Sequence, residues 1–309
     1  MPMVTTRDGS SVFVRILGRG KPVVLLHGFA LDGRQWLPLI APYLSSYQFI
    51  LPDFRGHGSS ALGSLHRSSI LETLGNDLDD ILNHLAIERA MLGAYSMGAF
   101  VGLEFVLRDR AQRIERYLHI EVSPRFHNSP DWSFGFSPAM TEQAVRLVEL
   151  WNADPIEGLR SPHTLASYRA LVQGMAQEAF PQNWVKQILG IVPVRFLEPL
   201  LPDPQFTLEL FSFLLNGDFD VRHRISALKI PGLIMSGRLS HYFPWEGSEW
   251  MHHQWEQSEH VIFDRSGHGL MYSEPLKFRK AFGCFLQGEI GRVHEIVQSR
   301  NWLRLHAAG

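Results

Sequence analysis

One serine stands where a strand-like run passes directly into a helix-like run. The apolar segment 90–95 precedes Ser96, and a helical pattern over residues 100–107 follows it. A serine in such a turn is held in a strained, exposed conformation, which small neighbours such as Ala94 and Gly98 permit because strand and helix can then approach closely. The pattern Ala-x-Ser-x-Gly differs from the usual Gly-x-Ser-x-Gly by one methyl group. It predicts a nucleophile elbow with Ser96 as the nucleophile.

A nucleophilic serine needs a base and an oxyanion hole. The predicted base is His268, which lies between two glycines just after the last predicted strand, where a loop can bring its imidazole to the strand ends. The oxyanion hole needs two backbone N–H donors, each worth about 3 kcal/mol in the transition state. Met97, directly after the nucleophile, and Phe29, in the loop after the strand predicted over 23–26, are the predicted donors. His27 is expected to hold that loop.

Strand-like and helix-like runs alternate along the chain, which is typical of an α/β fold with a mostly parallel sheet. The predicted strands are 12–17, 23–26, 49–51, 90–95, 117–122, 228–236 and 261–264. Helices are predicted over 71–85 and 275–286, with a charged extension after the second. The Gly18-Arg19-Gly20 turn predicts that the first two of these strands form a hairpin. It lacks the spacing of a phosphate-binding loop and precedes a strand.

The alternation stops between residues 125 and 216, where the chain is mainly helical and rich in aromatic residues and prolines. We predict that this cap segment (residues 125–216) is inserted after the strand predicted over 117–122. Residues 1–124 and 217–309 would form the core. Most aromatic residues of the cap segment are expected to pack against one another inside that segment. Trp132 and Phe134 are predicted to contact substrate.

Composition narrows the function classes. Among 309 residues, 45% are hydrophobic and 19% charged, which indicates a compact globular chain. The formal net charge of −2 provides no basic field, so a nucleic-acid partner is not expected. The N-terminus has no signal-peptide pattern, and the longest uncharged apolar stretch is too short and glycine-rich to span a membrane. A cytoplasmic protein without membrane insertion is therefore predicted, and its number of subunits is left open.

The remaining reactive side chains do not suggest a second chemistry. Cys284 is the single cysteine, which excludes an internal disulfide and favours a reducing compartment. It lies in an apolar helical pattern and is expected to be buried and inert. His252, His253 and His260 lie close in sequence but lack the spacing of a zinc site, so they are interpreted as a solvated helix end. Neither a metal nor a cofactor is predicted.

Four segments occur in the order seen in the α/β-hydrolase superfamily, which the chain resembles over 12–124 and 225–286. They are His27-Gly28-Phe29, the run 53–60, the Ser96 elbow and Gly267-His268. The resemblance implies an eight-stranded, mostly parallel sheet with a helical cap after the sixth strand. It also implies that Asp53 and His57 belong to a structural loop. Aspartate at the elbow defines epoxide hydrolases and haloalkane dehalogenases, so serine argues against both.

The resemblance fails at the acid that orients the base. Relatives usually carry an aspartate in a loop after the seventh strand, where this chain has Ser240. Glu121 is the predicted substitute, because the carboxyl end of the sixth strand opens onto the same crevice as Ser96. Some family members take their acid from this position. The alternative is that Glu121 only caps the strand, with Glu246 or Glu249 as the acid.

Together these features predict a cofactor-independent serine hydrolase of the esterase-like branch of that superfamily, with the triad acid after the sixth strand. Its substrates would be small carboxylic esters with an apolar group, or lactones, cleaved through an acyl-enzyme. Two alternatives stay open at this point. One is hydrolysis of a carbon–carbon bond in a diketone by the same triad. The other is a non-catalytic small-molecule binding protein, suggested by the missing loop aspartate.

Overall fold

The computed structural model describes residues 2–65, 69–108, 111–153, 161–179, 201–217 and 219–299. In these residues eight strands form one sheet, in the order β1-β2-β4-β3-β5-β6-β7-β8. The strands are β1 Met3–Thr5, β2 Ser11–Gly18, β3 Lys21–Leu26, β4 Tyr47–Pro52, β5 Ala90–Tyr95, β6 Ile114–Ile120, β7 Gly232–Gly237 and β8 Ser258–Phe263. β2 is antiparallel to β1 and β4, and the other pairs are parallel. The predicted α/β fold with a mostly parallel eight-stranded sheet is confirmed.

Helices cover both faces of this sheet. They are α1 Leu37–Ile40, α2 Ile70–His84, α3 Met97–Leu107, α4 Pro138–Ala153, α5 Pro162–Glu178, α6 Pro204–Asn216, α7 Trp245–Gln254, α8 Leu270–Ser273, α9 Pro275–Gln287 and α10 Val293–Gln298. Alternate residues of β3 enter different cores: Val24 and Leu26 pack on the side of α2 and α3, and Val23 and Leu25 on the side of α9. A parallel sheet covered on both faces places its strand ends at an edge, where loops can carry a site.

The predicted hairpin between the first two long strands is wrong, because β4 lies between β2 and β3. Phe49 of β4 is in register with Leu17 of β2 and with Val23 of β3. The intervening turn does not close a two-stranded ladder. Its amides at Arg19 and Lys21 donate to carbonyls in the segment that leads into β4. The true opening hairpin joins β2 to the short β1, a strand that the sequence pattern did not reveal.

Most predicted element boundaries lie close to the observed ones. The predicted helix over 71–85 is α2, and that over 275–286 is α9. The seventh strand begins later than predicted, at Gly232, after Pro231, which has no N–H for a ladder. β6 ends at Ile120, so Glu121 lies just beyond the strand that was expected to contain it.

The cap segment leaves and re-enters the rest of the chain at neighbouring points. The amide of Val221 donates to the carbonyl of Pro124 at 2.9 Å, and that of Phe126 to Phe219 at 3.0 Å. Between these points the described residues form α4, α5 and α6. The N-terminus of α6 is tied to the loop after β4, since the Asp203 amide donates to the Gly56 carbonyl at 2.7 Å. The division into core and cap stays a prediction. None of the helices in the described ranges has the length and hydropathy needed to cross a bilayer.

Candidate active site

Ser96 occupies the turn between β5 and α3 with a positive φ of 53°. This conformation costs a non-glycine residue about 1–3 kcal/mol and persists only where the surroundings enforce it. Two backbone hydrogen bonds do so: the Ser96 amide donates to the Ile120 carbonyl at 3.0 Å, and the Gly98 amide donates to the His27 carbonyl at 3.1 Å. The Ser96 side chain remains partly exposed. The turn therefore leaves Ser96 partly accessible just beyond the end of β5.

Ala94, the departure from the usual elbow pattern, is accommodated by a glycine one turn into α3. A Cβ atom built on Gly102 would lie 2.9 Å from the Ala94 Cβ and 2.8 Å from the Tyr117 hydroxyl. Gly98 is equally constrained, because a Cβ there would lie 2.6 Å from the His27 carbonyl oxygen. Strand and helix thus share the space for one methyl group, which Ala94 supplies and Gly102 omits.

His268 lies in the loop after β8, with both ring nitrogens engaged. Nε2 is 2.8 Å from Ser96 Oγ, and Nδ1 is 2.9 Å from Glu121 Oε2. The Tyr242 ring stacks on the imidazole at 4.1 Å between centroids and 9° between planes. The Tyr95 hydroxyl donates to the His268 carbonyl at 3.1 Å. These contacts hold the buried imidazole in a line between a hydroxyl and a carboxylate.

Glu121 is buried at the end of β6, with a positive φ of 66°. Three donors surround its carboxylate: the Gly237 amide at Oε1, and His268 Nδ1 together with the Ser240 hydroxyl, at 2.8 Å, on Oε2. A buried carboxylate needs such partners to replace its lost hydration. Ser240 therefore does not leave a gap where relatives have an acid. Its hydroxyl supports the carboxylate that faces the histidine, a contact with no sequence signal.

The two alternative acids lie elsewhere. Glu246 is in the first turn of α7. Glu249 Oε2 is 2.6 Å from Nδ1 of His260, whose Nε2 is 2.7 Å from Ser236 Oγ. This second Ser–His–Glu arrangement resembles the first in its contacts, but Ser236 is only 2% exposed. Burial lowers the pKa of His260 to about 4. We interpret this arrangement as a satisfied structural network.

The histidines of this region do not assemble a metal site. His252 Nδ1 lies 2.9 Å from the Ser258 hydroxyl, and His260 is engaged by Glu249 and Ser236. Across the described ranges, no group of three or more His, Cys, Asp or Glu side chains is placed to hold a metal ion. His260 is buried, so the prediction of a wholly solvated helix end is wrong for this residue.

His27 fixes the loop that follows β3. Its Nε2 accepts from the Phe54 amide at 2.9 Å, so Nδ1 carries the proton and donates to the Gly28 carbonyl at 2.8 Å. Complete burial lowers the pKa of His27 to about 4, which keeps the ring neutral. The Gly28 amide donates to Gln35 Oε1 at 3.0 Å. These bonds give the loop one conformation.

Phe29, the next residue of that loop, and Met97, at the start of α3, were expected to donate backbone N–H groups. Both residues line the space beside Ser96. Among the described residues, neither amide has a hydrogen-bond acceptor. Two such donors next to a nucleophile could bind the oxygen of a tetrahedral intermediate. Their assignment as the oxyanion hole stays a prediction.

Two cavities meet at Ser96. The larger, about 340 Å³, is lined by His268, Tyr272 and the α5 residues Val172 and Ala176. The smaller, about 30 Å³, has walls that include Phe100, Phe126, Phe136 and Leu210. Ser96, Phe29 and Met175 belong to both. Ser96 thus faces mostly apolar space of two different sizes.

Trp132 and Phe134, the predicted substrate contacts, lie outside the linings of these two cavities. Trp132 packs edge-to-face against Phe134 at 5.1 Å and Trp250 of α7 at 5.3 Å, and the Arg222 guanidinium covers it at 5.0 Å. The aromatic residues of the cap segment that line the smaller cavity include Phe126 and Phe136. The cap segment carries no motif that distinguishes the two pairs.

Comparison with known proteins decides the family. The family model described as alpha/beta hydrolase fold matches residues 21–275. The chain belongs to this family. The AB hydrolase superfamily protein YisY of Bacillus subtilis is similar, at 25% identity over 91% of this chain and 97% of that protein. A pimeloyl-[acyl-carrier protein] methyl ester esterase of Aliivibrio salmonicida is also similar, at 25% identity over 91% of this chain and 97% of that protein. The structure of an esterase from Exiguobacterium antarcticum superposes with a TM-score of 0.76 at 20% identity. The superposition covers 92% of this chain and 98% of that esterase.

The single cysteine of this alpha/beta hydrolase lacks the surroundings of a reactive thiol. Cys284 is buried in α9, as expected, and burial raises the pKa of its thiol to about 11. A thiol with that pKa is protonated at neutral pH. The reactive geometry in the described part of the hydrolase is therefore centred on Ser96.

Proposed function

We propose that this alpha/beta hydrolase is a carboxylic ester hydrolase with Ser96 as its nucleophile. One observation carries the proposal: Ser96 Oγ, the His268 ring and Glu121 Oε2 form a continuous hydrogen-bonded line beside an apolar cavity. Relatives named as esterases support the same activity. A lactone is a cyclic ester that the same steps would open, and one structural neighbour is an enol-lactonase. Lactone cleavage and a cytoplasmic location stay predictions.

The reaction would proceed in two halves. Ser96 Oγ attacks the ester carbonyl carbon while His268 Nε2 takes the hydroxyl proton, and the carbonyl oxygen becomes an anion facing the Phe29 and Met97 amides. When the carbon–oxygen bond breaks, His268 returns the proton to the leaving alcohol. In the second half, His268 takes a proton from water, and the water oxygen attacks the acyl carbon. When the bond to Ser96 Oγ breaks, His268 returns the proton to that oxygen and the acid leaves.

Glu121 would act through the imidazole. Its carboxylate accepts from Nδ1, so the proton sits on that nitrogen and Nε2 is free to accept from Ser96. The negative charge also stabilises the imidazolium that forms during attack. Burial at 1% exposure keeps water from screening this interaction.

Labelling with a fluorophosphonate tests the proposal, with peptide mass spectrometry to locate the label. We expect modification of Ser96, and Ser96→Ala should lose both labelling and hydrolysis of nitrophenyl acetate while remaining folded. Ser236→Ala is the matched control, because Ser236 belongs to the other Ser–His–Glu arrangement and should leave both unchanged. Absence of labelling in the folded protein would favour the binding-protein alternative. Labelling with cleavage of a diketone but of no ester would favour the carbon–carbon hydrolase.

A further inference from the structure

The two cavities beside Ser96 differ about tenfold in volume, about 340 Å³ against about 30 Å³. One water molecule needs about 10–15 Å³ of such space, so about 30 Å³ holds about two groups of that size. The larger cavity has room for a phenyl ring with a short linker. If both parts of an ester must be housed, one of them has to be very small.

The smaller cavity has little capacity to expand. Most of the described residues in its walls are buried and pack on one another: Phe126 stacks on Phe136 at 4.9 Å, and Phe100 meets Phe243 edge-to-face at 5.9 Å. Leu210 of α6 is 2% exposed. Close-packed interiors resist added methylene groups, because each one forces neighbours out of their rotamers.

The described residues that line the larger cavity are mostly apolar. Ala30, Leu31, Val172 and Ala176 contribute to its wall, and no carboxylate, lysine or arginine is among the described residues that line it. A charged substituent would lose its hydration there without gaining a partner. The part of the substrate that enters should therefore be apolar and neutral.

The position of His268 indicates which part enters which cavity. In the tetrahedral intermediate the oxyanion faces the Phe29 and Met97 amides, and the leaving oxygen must face the protonated Nε2 of His268. His268 lines the larger cavity and is not among the described residues that line the smaller one. The leaving group is thus directed into the larger cavity, and the acyl chain is directed into the smaller one.

We propose that the preferred substrates combine a short acyl group, such as acetyl, with a bulky, apolar, uncharged alcohol. This inference rests on the proposed ester hydrolase function. It assigns the orientation of the substrate, which the triad geometry alone leaves open.

A pair of isomeric esters tests the orientation directly. Phenethyl acetate and methyl 3-phenylpropanoate have the same composition but exchange the large and small groups across the ester bond. One misfitting methylene changes kcat/KM by about 10- to 200-fold, so we expect the acetate to be favoured by at least about 10-fold. Equal kcat/KM, or a preference for the methyl ester, would overturn the proposal. The proposal would also be overturned if the enzyme cleaved nitrophenyl acetate but neither of the two isomers. If no ester is cleaved, it is the proposed function that fails.

Enlarging the smaller cavity provides a second test. Leu210→Ala should raise kcat/KM for phenethyl butanoate relative to phenethyl acetate by about 10-fold, because a longer acyl chain then fits. Leu208→Ala is the matched control: it removes the same atoms from a buried position of α6 that is outside the described linings. It should not alter the ratio. An equal change in both variants, or none in Leu210→Ala, would show that this cavity does not hold the acyl chain.

Discussion

Replacing Glu121 by glutamine tests the assignment that departs most from the family pattern. The glutamate carboxylate faces three donors, so an amide in its place must direct its NH₂ toward at least one of them. The Gly237 backbone amide cannot reverse its polarity, which retains the side-chain oxygen on that side. The NH₂ group then faces His268 Nδ1. The imidazole consequently carries its proton on Nε2 and can no longer accept one from Ser96.

The magnitude follows from the loss of both the tautomer and the charge. An acid-to-amide change of this kind in a serine protease lowers kcat by about 10⁴-fold, which corresponds to about 5.5 kcal/mol. Ser240→Ala removes one of the carboxylate's donors and leaves the other two, so we expect a loss of about 10-fold or less. In Glu121→Gln, a further Ser240→Asp should restore part of kcat, since position 240 reaches the same oxygen as the histidine.

The assay is kcat for nitrophenyl acetate in variants whose thermal unfolding shows a retained fold. Glu249→Gln is a matched control, because Glu249 contacts His260 as Glu121 contacts His268, but away from Ser96. It should reduce stability without changing kcat by more than about twofold. If Glu121→Gln keeps activity within about 10-fold of the parent while Ser240→Ala abolishes it, the assignment of Glu121 is wrong.

Two further predictions concern stability. Burial lowers the pKa of His27 and of His119 to about 4, so each is neutral in the fold while the unfolded chain binds protons below about 6.5. Each neutral histidine therefore contributes fully to the free energy of unfolding above pH 6.5. This stabilisation is lost as pH falls toward 4, and at pH 5 the loss is about 2 kcal/mol for each histidine. Urea unfolding at pH 7 and pH 5 should show this loss, and an unchanged midpoint would contradict it. Gly102→Ala should destabilise by about 1–3 kcal/mol through contact with Ala94, and Ala94→Gly should recover part of that loss in the double variant. Simple additivity of the two changes in unfolding free energy would refute the shared-space explanation.

The turn at Ser96 and the position of His268 could be predicted because their signals are local. Ser96 lies between a strand pattern and a helix pattern, and His268 follows the last strand between two glycines. The strand order could not be predicted in the same way, because the pairing of β4 between β2 and β3 joins distant segments. The cavity walls were missed for a related reason. Phe126 and Trp132 look alike in sequence, and only the packing of the cap segment decides which of them reaches Ser96.

The positions of Glu121 and Ser240 explain one another. Ser240 Oγ lies 2.8 Å from Glu121 Oε2, so an aspartate at position 240 would bring a second carboxylate against the first. Two unit charges 4 Å apart repel by about 4 kcal/mol at an effective dielectric constant of 20, and more when closer. The buried site can therefore hold one ionised acid. With Glu121 facing Nδ1 of His268, a neutral donor is the residue that fits at position 240. Serine at position 240 therefore fits the observed Ser96–His268–Glu121 hydrogen-bonded line, in which the carboxylate comes from the end of β6.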